Sequence, residues 1–453
     1  MPERGATCYY TANSQFASNR FSRPALVRSL RVRTMPMQHD PVSAPAAGGE
    51  RRSRPRMTPA ERRATAGLAG IFGLRMLGMF IVLPVLALYA ETLPGGRDHA
   101  LVGLALGAYG LTQAVLQIPF GWASDRWGRR PVIAAGLVVF ALGSFVAAWA
   151  PTIYWTIAGR TVQGAGAISA AVIALAADLT RDEVRTRAMA AIGMTIGATF
   201  ALSLVLGPVL TGIVGVPGIF VMTGALALAA IVVFNAMVPK APEVTASTDS
   251  PSQWRSVLAD GQLLRLNYGI FALHAALMAL FVQVPFMLRD NGIPATRHWI
   301  VYLSVLAASV VLMVPGMLNA DRPGRGKPVF IGAIVILFAG QALLAVAGAS
   351  LVLTIASLVV FFTAFNLLEA TLPSLISKFA PPAAKGTAVG VYSSVQFLGT
   401  FVGAAGGGWL SQHHGPAGVF GFCLVLTALW LAASATMAPP PAYNQGSYSM
   451  GET

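Results

Sequence analysis

Acidic residues are few in this sequence. Asp and Glu together number 17 among 453 residues, and charged residues of both signs make up only 11%. A soluble domain carries roughly a quarter charged residues. The apolar share here is 55%, more than one aqueous core could hide, so the chain needs lipid as part of its solvent. Cysteine is scarcer still: Cys8 and Cys423 allow neither a disulfide framework nor a zinc site. No glycine-rich nucleotide loop, HExxH or GxSxG motif occurs, which argues against ATP-driven, metallohydrolase and serine-hydrolase chemistry. The six histidines are scattered, and the adjacent pair His413–His414 has no acids near it. An integral-membrane enzyme would instead gather His, Asp and Glu at one membrane face. No metal and no cofactor are expected, and the energy for any work must come from a gradient.

Positive charge is plentiful by contrast, with a formal net charge of +14. Its distribution argues against nucleic acid as the partner. Residues 1–65 hold twelve arginines against four acids and are rich in Pro, Ser and Ala. This stretch reads as a disordered cytoplasmic tail on the anionic leaflet. Equally, Met57 is a plausible true start, in which case the tail is not translated. Residues 438–453 read as a second disordered tail.

Glycine, 47 residues in all, suits close packing of membrane helices. A span needs about 20 apolar residues, and twelve candidates follow: 66–90, 101–122, 131–149, 153–176, 188–213, 217–238, 264–288, 298–318, 328–348, 351–376, 387–410 and 416–437. "GAGAIS" (164–169) lies inside the fourth and reads as a close-packing stretch within a helix. With the N-terminus inside, the inner loops carry fourteen Lys and Arg and the outer loops three. That asymmetry puts both termini in the cytoplasm.

The chain also repeats itself. "GIFGLR" (70–75) matches "GIFALH" (269–274), "DRWGRRP" (125–131) is echoed by "DRPGRGKP" (321–328), and "RTRAMAAIG" (185–193) more weakly by "KGTAVGVYS" (385–393). The offsets are close to 200 residues, and each pair falls at the same place in a six-span half. This predicts an all-α membrane protein of two six-helix bundles, residues 66–239 and 264–437, related by a parallel pseudo-twofold and joined by a cytoplasmic linker, 240–263. Its cargo site lies near the midplane between the halves.

The loop after the second span, "GWASDRWGRRP", carries the most specific signal. It resembles the signature G-x-L-a-D-R-x-G-R-[RK] of the major facilitator superfamily, through Gly121, Asp125, Arg126, Gly128, Arg129 and Arg130, with Ala123 where leucine is usual. Gly121 suits a close helix approach, Gly128 a tight turn, Asp125 a helix cap, and Arg129 a pairing with Asp178. The resemblance implies that this cluster latches the halves together when the protein is open to the outside. The alternative is that the arginines only enforce topology. "RTVQGAGA" (160–167), with Arg160 and Gln163, resembles a second signature linked in that family to proton movement; a snorkelling arginine is the other reading. "SLVLGPVLTG" (203–212), with Gly207, Pro208 and Gly212, resembles a signature of proton-coupled exporters, although Ser203 and Thr211 replace two glycines. On packing alone it would mean only a bent helix. The likeness covers residues 66–437, and within the superfamily the first span resembles the YajR-like drug:proton antiporters. That type carries a soluble domain after span twelve, which is not expected in the roughly sixteen residues that follow here.

Three ionisable residues stand out within apolar spans: Arg75, its repeat mate His274, and Glu369. Arg75 lies twelve residues beyond Arg63, roughly 18 Å along a helix, too deep to snorkel easily, so it should be paired or border water. In the superfamily, spans one, four, seven and ten line the cavity, which puts these three groups on cavity helices. Glu369 is the candidate proton carrier, Arg75 its expected ionic partner, and His274 a relay or cargo contact. A static Arg75–Glu369 bridge and a hydrogen-bonded core histidine are the structural alternatives. Tyr109, Gln113 and Gln117 share one face of span two, and Asn366 is one turn from Glu369. Phe362, Phe365, Met278 and Phe281 suit an apolar pocket wall or ordinary packing.

Taken together, these features predict a monomeric secondary transporter of a bacterial-type inner membrane that exports small, largely apolar compounds against proton entry. Uptake or exchange of a sugar or carboxylate is the alternative, and a non-transporting assembly or sensing role a third. The partners expected are a small-molecule substrate, protons and the lipid bilayer.

Overall fold

A computed structural model describes residues 57–239, 251–320, 322–381 and 384–438. The expected tail up to residue 56, most of the second tail and the first part of the linker lie outside the described residues. Helices account for nearly all the rest, in the order α1 (Pro59–Phe80), α2 (Leu83–Ala90), α3 (His99–Trp127), α4 (Arg129–Ala148), α5 (Ile153–Ala165), α6 (Ser169–Asp178), α7 (Asp182–Met237), α8 (Pro251–Ala259), α9 (Gly261–Asp290), α10 (His298–Ala320), α11 (Gly326–Val346), α12 (Leu351–Phe379) and α13 (Lys385–Ala435). Mean hydropathy of their apolar windows runs from 1.4 to 2.6.

Two departures from the sequence expectation occur near the start. The first helix begins at Pro59, not 66. Thr58 caps it, receiving the Glu61 amide while the Glu61 carboxylate receives the Thr58 amide, a reciprocal capping box. Residues 251–259 of the expected linker are also helical, as α8.

Ten helical stretches are long and apolar enough to cross a bilayer, and two of them are double. α7 has 56 residues and α13 has 51, each more than twice the length a span needs. Each is broken by a left-handed glycine, Gly215 with φ 69° and Gly415 with φ 62°. Only glycine adopts such a turn without penalty, and a proline follows in both cases, Pro217 and Pro416. Counting each as two helices gives twelve, in agreement with the spans read from the sequence. The repeat is thus realised in the backbone as well, with the two turns 200 residues apart.

Spans one and four are interrupted. α1 gives way to α2 at Ile81–Val82, ahead of Pro84. α5 stops at Ala165 and α6 starts at Ser169, so Gly166, Ala167 and Ile168 are not helical. "GAGAIS" is therefore a break, and it is close-packed as well. A methyl group on Gly164 would overlap Tyr109 and Thr112, and one on Gly166 would overlap the Gly136 carbonyl. A backbone group freed inside a membrane must find another partner, and the Gly164 carbonyl accepts a 2.7 Å hydrogen bond from Gln113 Nε2.

The first half packs α1 against α7 and α4 against α5 and α7, and the second packs α13 along α9 and α11 against α12. α3 with α13, α10 with α7, and α2 with α9 join the halves. At the end where the described chain starts and finishes, each half ties itself together. Arg130 donates to the carbonyls of Val238 and Pro239 and to Asn235 Oδ1, while Lys327 donates to the Ala435 carbonyl at 2.9 Å. These two anchors are repeat mates. At the other end the halves meet directly. Arg289 pairs with Glu91, His99 Nδ1 lies 2.8 Å from Ser411 Oγ, and the His99 amide donates to Gln412 Oε1 at 2.9 Å. Methyl groups on Gly103 or Gly408 would overlap the backbone of the facing helix, so α3 and α13 touch main chain to main chain.

Candidate functional site

The breaks in spans one and four lie beside a buried polar cluster in the first half. Arg75 is only 2% exposed and Arg160 1%. The Arg75 guanidinium donates from Nη1 to Ser169 Oγ, 2.7 Å away, at the first residue after the break in span four. Arg160 Nη1 donates to Gln163 Oε1 at 2.5 Å, and Gln163 Nε2 donates in turn to Ser144 Oγ at 2.8 Å. Both guanidiniums also sit against the Tyr109 ring, their carbons 6.0 Å (Arg75) and 4.9 Å (Arg160) from its centroid, within the range of cation–π attraction. Tyr109, Gln113 and Gln117 are all buried. Gln113 serves the break, whereas Gln117 Oε1 and the Tyr109 hydroxyl have no hydrogen-bond partner among the described residues.

The second half is built differently. His274 Nδ1 lies 3.9 Å from Glu369 Oε2, joining spans seven and ten. His274 Nε2 is 2.7 Å from Gln396 Nε2. The His274 side chain is 9% exposed and that of Glu369 31%. The expected Arg75–Glu369 pairing is not what is seen: Arg75 holds Ser169, and Glu369 faces its own half's histidine. The identity of the three ionisable groups was legible in the sequence, but not their grouping, because a break in span four offers Arg75 a hydroxyl nearby. Asn366 donates from Nδ2 to Ser309 Oγ at 3.1 Å, tying span ten to span eight.

Between the halves lies a cavity of about 100 Å³, lined by Arg160, Tyr109 and Ser169, by His274 and Gln396, and by Met76, Met79, Met278 and Phe397. Phe281, Phe362 and Phe365 gather around Phe200 of α7 at ring distances of 6.1 to 6.3 Å. Phe80 approaches Phe200 at 5.2 Å from the other side, so this aromatic cluster spans both halves. Neither Phe200 nor Gln396 was singled out from the sequence. Each sits in an ordinary apolar or weakly polar run with nothing to mark it.

The loop cluster also forms. Arg129 pairs with Asp125, with Asp178 at 3.2 Å, and with Ser124 Oγ at 2.8 Å. Gly128 has φ 91°, as a tight turn there requires. Asp125 accepts from Arg129 one turn ahead. Arg126 lies over the Trp122 ring, 5.6 Å from its centroid. Gly121 is not needed for clearance, since a methyl there would meet Ala170 at an ordinary 3.5 Å. In the export signature Gly207 faces the break in span one, where a methyl would come within 2.5 Å of the Ile81 carbonyl oxygen. Pro208 lies within α7. Gly212 has only a distant neighbour, Thr296 at 3.9 Å.

Two similar bundles enclosing a cavity, with interrupted helices on one side of it, define a transporter architecture. The profile of the Major Facilitator Superfamily matches residues 68–404 and 294–449. The chain is 46% identical over 389 residues to the inner membrane transport protein YajR of Escherichia coli, covering 85% of this chain and 86% of that one. It is 27% identical over 351 residues to the multidrug resistance protein MdtH of Aeromonas hydrophila, covering 75% and 85%. Among solved structures, a D-xylose–proton symporter superposes with a TM-score of 0.68 at 16% identity, covering 84% and 98%. The chain belongs to the major facilitator superfamily and is a multi-pass membrane transporter.

Proposed function

We propose that this protein is a proton-coupled exporter of small, largely apolar compounds, working by alternating access in a bacterial inner membrane with both termini in the cytoplasm. The His274–Glu369 pair carries the reading. A lone charge within a membrane costs several kcal/mol, so a carboxyl and an imidazole 3.9 Å apart are sustained either as an ion pair or with the proton shared out to leave both neutral. Because His274 also lines the cavity, cargo arriving there changes the surroundings of one partner and so the proton's preference. The mostly apolar cavity wall, with three methionines, suits varied apolar cargo. Similarity to a multidrug resistance protein and the Gly207–Pro208 signature favour export over the uptake of a sugar or carboxylate. On this assignment the structure is closed on the outer side by Arg289–Glu91 and His99–Ser411. The latch around Arg129 would engage the second half only in the opposite state.

The test is purified protein in liposomes under an imposed pH gradient, with a panel of fluorescent compounds. Gradient-driven flux of at least one compound is expected, lost in Glu369→Gln while detergent-phase folding and compound binding persist. Full gradient-driven flux in Glu369→Gln removes this residue from the proton role.

A further inference from the structure

Two cations sit deep in the first half without an anion to match them. Among the described residues, the ion pairs join neither Arg75 nor Arg160 to a carboxylate. Their donors are also underused. Arg75 Nε and Nη2, Arg160 Nε and the Tyr109 hydroxyl are all buried with no hydrogen-bond partner among the described residues, on side chains no more than 2% exposed. Leaving a charged donor unpaired away from water is among the costlier arrangements a fold can hold. Two positive groups sharing one tyrosine ring, at 4.9 and 6.0 Å, add mutual repulsion. A guanidinium's fork of N–H groups fits a carboxylate, sulfonate or phosphate better than any neutral group.

The cavity beside them supplies room. Arg160, Tyr109 and Ser169 line it together with Met76, Met79 and Met278. The volume, about 100 Å³, suits a ring-sized compound and not a two-chain lipid. The carboxyl of Glu369 stands in the other half with His274, so it does not neutralise this cluster. We propose that the cargo is an amphipathic organic anion, its charged group received by Arg160 with Tyr109 and Ser169, and its apolar body held by the methionines. Arg75, through its bond to Ser169, positions that hydroxyl and adds a second positive charge behind it. This deepens the exporter reading by naming the cargo's charge, and rests on the same cavity.

The experiment compares two probes of one shape: a naphthalene carboxylate and its neutral carboxamide. Binding of each is measured by calorimetry at neutral pH to full-length protein in nanodiscs of zwitterionic lipid. The carboxylate should bind about tenfold or more tightly than the amide, as a charge-assisted contact predicts. Arg160→Gln should bring the carboxylate down to the amide's affinity, and Arg160→Lys should retain part of the preference. Equal affinity of the two probes for the unmodified protein overturns the proposal, and needs no variant to fold. So does an undiminished preference in Arg160→Gln. The two readings fail separately: preferential carboxylate binding with no gradient-driven flux sinks proton-coupled export alone, while gradient-driven flux with no preference sinks only the anion site.

Discussion

The two halves of this transporter are alike in backbone and unlike in charge. Both bend at a left-handed glycine, Gly215 and Gly415, and both tie their last helix to the loop after their second, through Arg130 and Lys327. The first half nevertheless buries two guanidiniums, Arg75 and Arg160, and the second an imidazole, His274, beside a partly exposed carboxyl, Glu369. Repetition of the scaffold thus leaves the buried groups free to diverge: "GIFGLR" and "GIFALH" place Arg75 and His274 at equivalent points with different partners. Charge is segregated between the halves, and the cavity between them is bordered by Arg160 of the first and His274 of the second.

The largest effect should come from the contact between the halves. Gly103→Val pushes a side chain into the Ala404 backbone; overpacking of this kind costs about 1–3 kcal/mol, enough to shift a two-state equilibrium roughly 5- to 150-fold. Distances between spin labels at residues 97 and 412 should lengthen, and unchanged distances would mean the seam yields without opening. The equivalent change within one half, Gly143→Val, meets the Gln163 backbone instead and should lower the melting temperature without lengthening that distance.

The buried cations invite a bolder test. Arg75→Met removes a charge that no carboxylate balances and replaces it with an apolar chain. The variant should lose transport yet melt at an equal or higher temperature, by up to about 1–4 kcal/mol in stability, the range for replacing buried ionic groups with well-packed apolar side chains. A clear fall in melting temperature would mean that the bond to Ser169 outweighs the burial of charge.

A third measurement sets the two anchors side by side. Arg130 reaches three acceptors and lies 4.8 Å over the Phe234 ring, whereas Lys327 reaches one exposed carbonyl. Arg130→Ala should therefore cost about 1 kcal/mol and Lys327→Ala a few tenths, as exposed polar contacts generally do. Equal losses by thermal unfolding would contradict that ordering. An effect no larger than that of Arg130→Ala is expected at the first helix: Thr58→Ala removes one capping bond, about 1 kcal/mol, visible as fraying of residues 59–62 in hydrogen exchange.

Much of the fold was legible because a bilayer imposes a coarse rule: apolar runs of a set length, interrupted by charged loops. The span count, the repeat and the Arg129–Asp178 pairing followed from that rule and from matched loop residues. The breaks in spans one and four did not, since Gly166 and Ile81 sit in sequence as helical as its surroundings, and only tertiary contacts such as Gln113 to the Gly164 carbonyl make the interruption tolerable. The site was legible residue by residue and not as a set. Arg75, His274 and Glu369 announce themselves as charges in apolar runs, but which of them meet depends on helix rotation, which a periodic apolar pattern does not specify. Phe200 was hidden for a simpler reason: one phenylalanine among 23 looks like any other until its neighbours are known.

The meeting of α3 with α13 has one further consequence. Gly103, Gly107 and Gly110 of α3 meet mostly backbone and short side chains of α13, at Ala404, Gly408 and Thr400, with the Phe401 ring beside Gly107. If the helices part, such a joint leaves few rotamers to rearrange. The contact that joins the halves at this end is thus largely backbone against backbone, and the hydrogen bonds of His99 to Gln412 and Ser411 are its polar fastening.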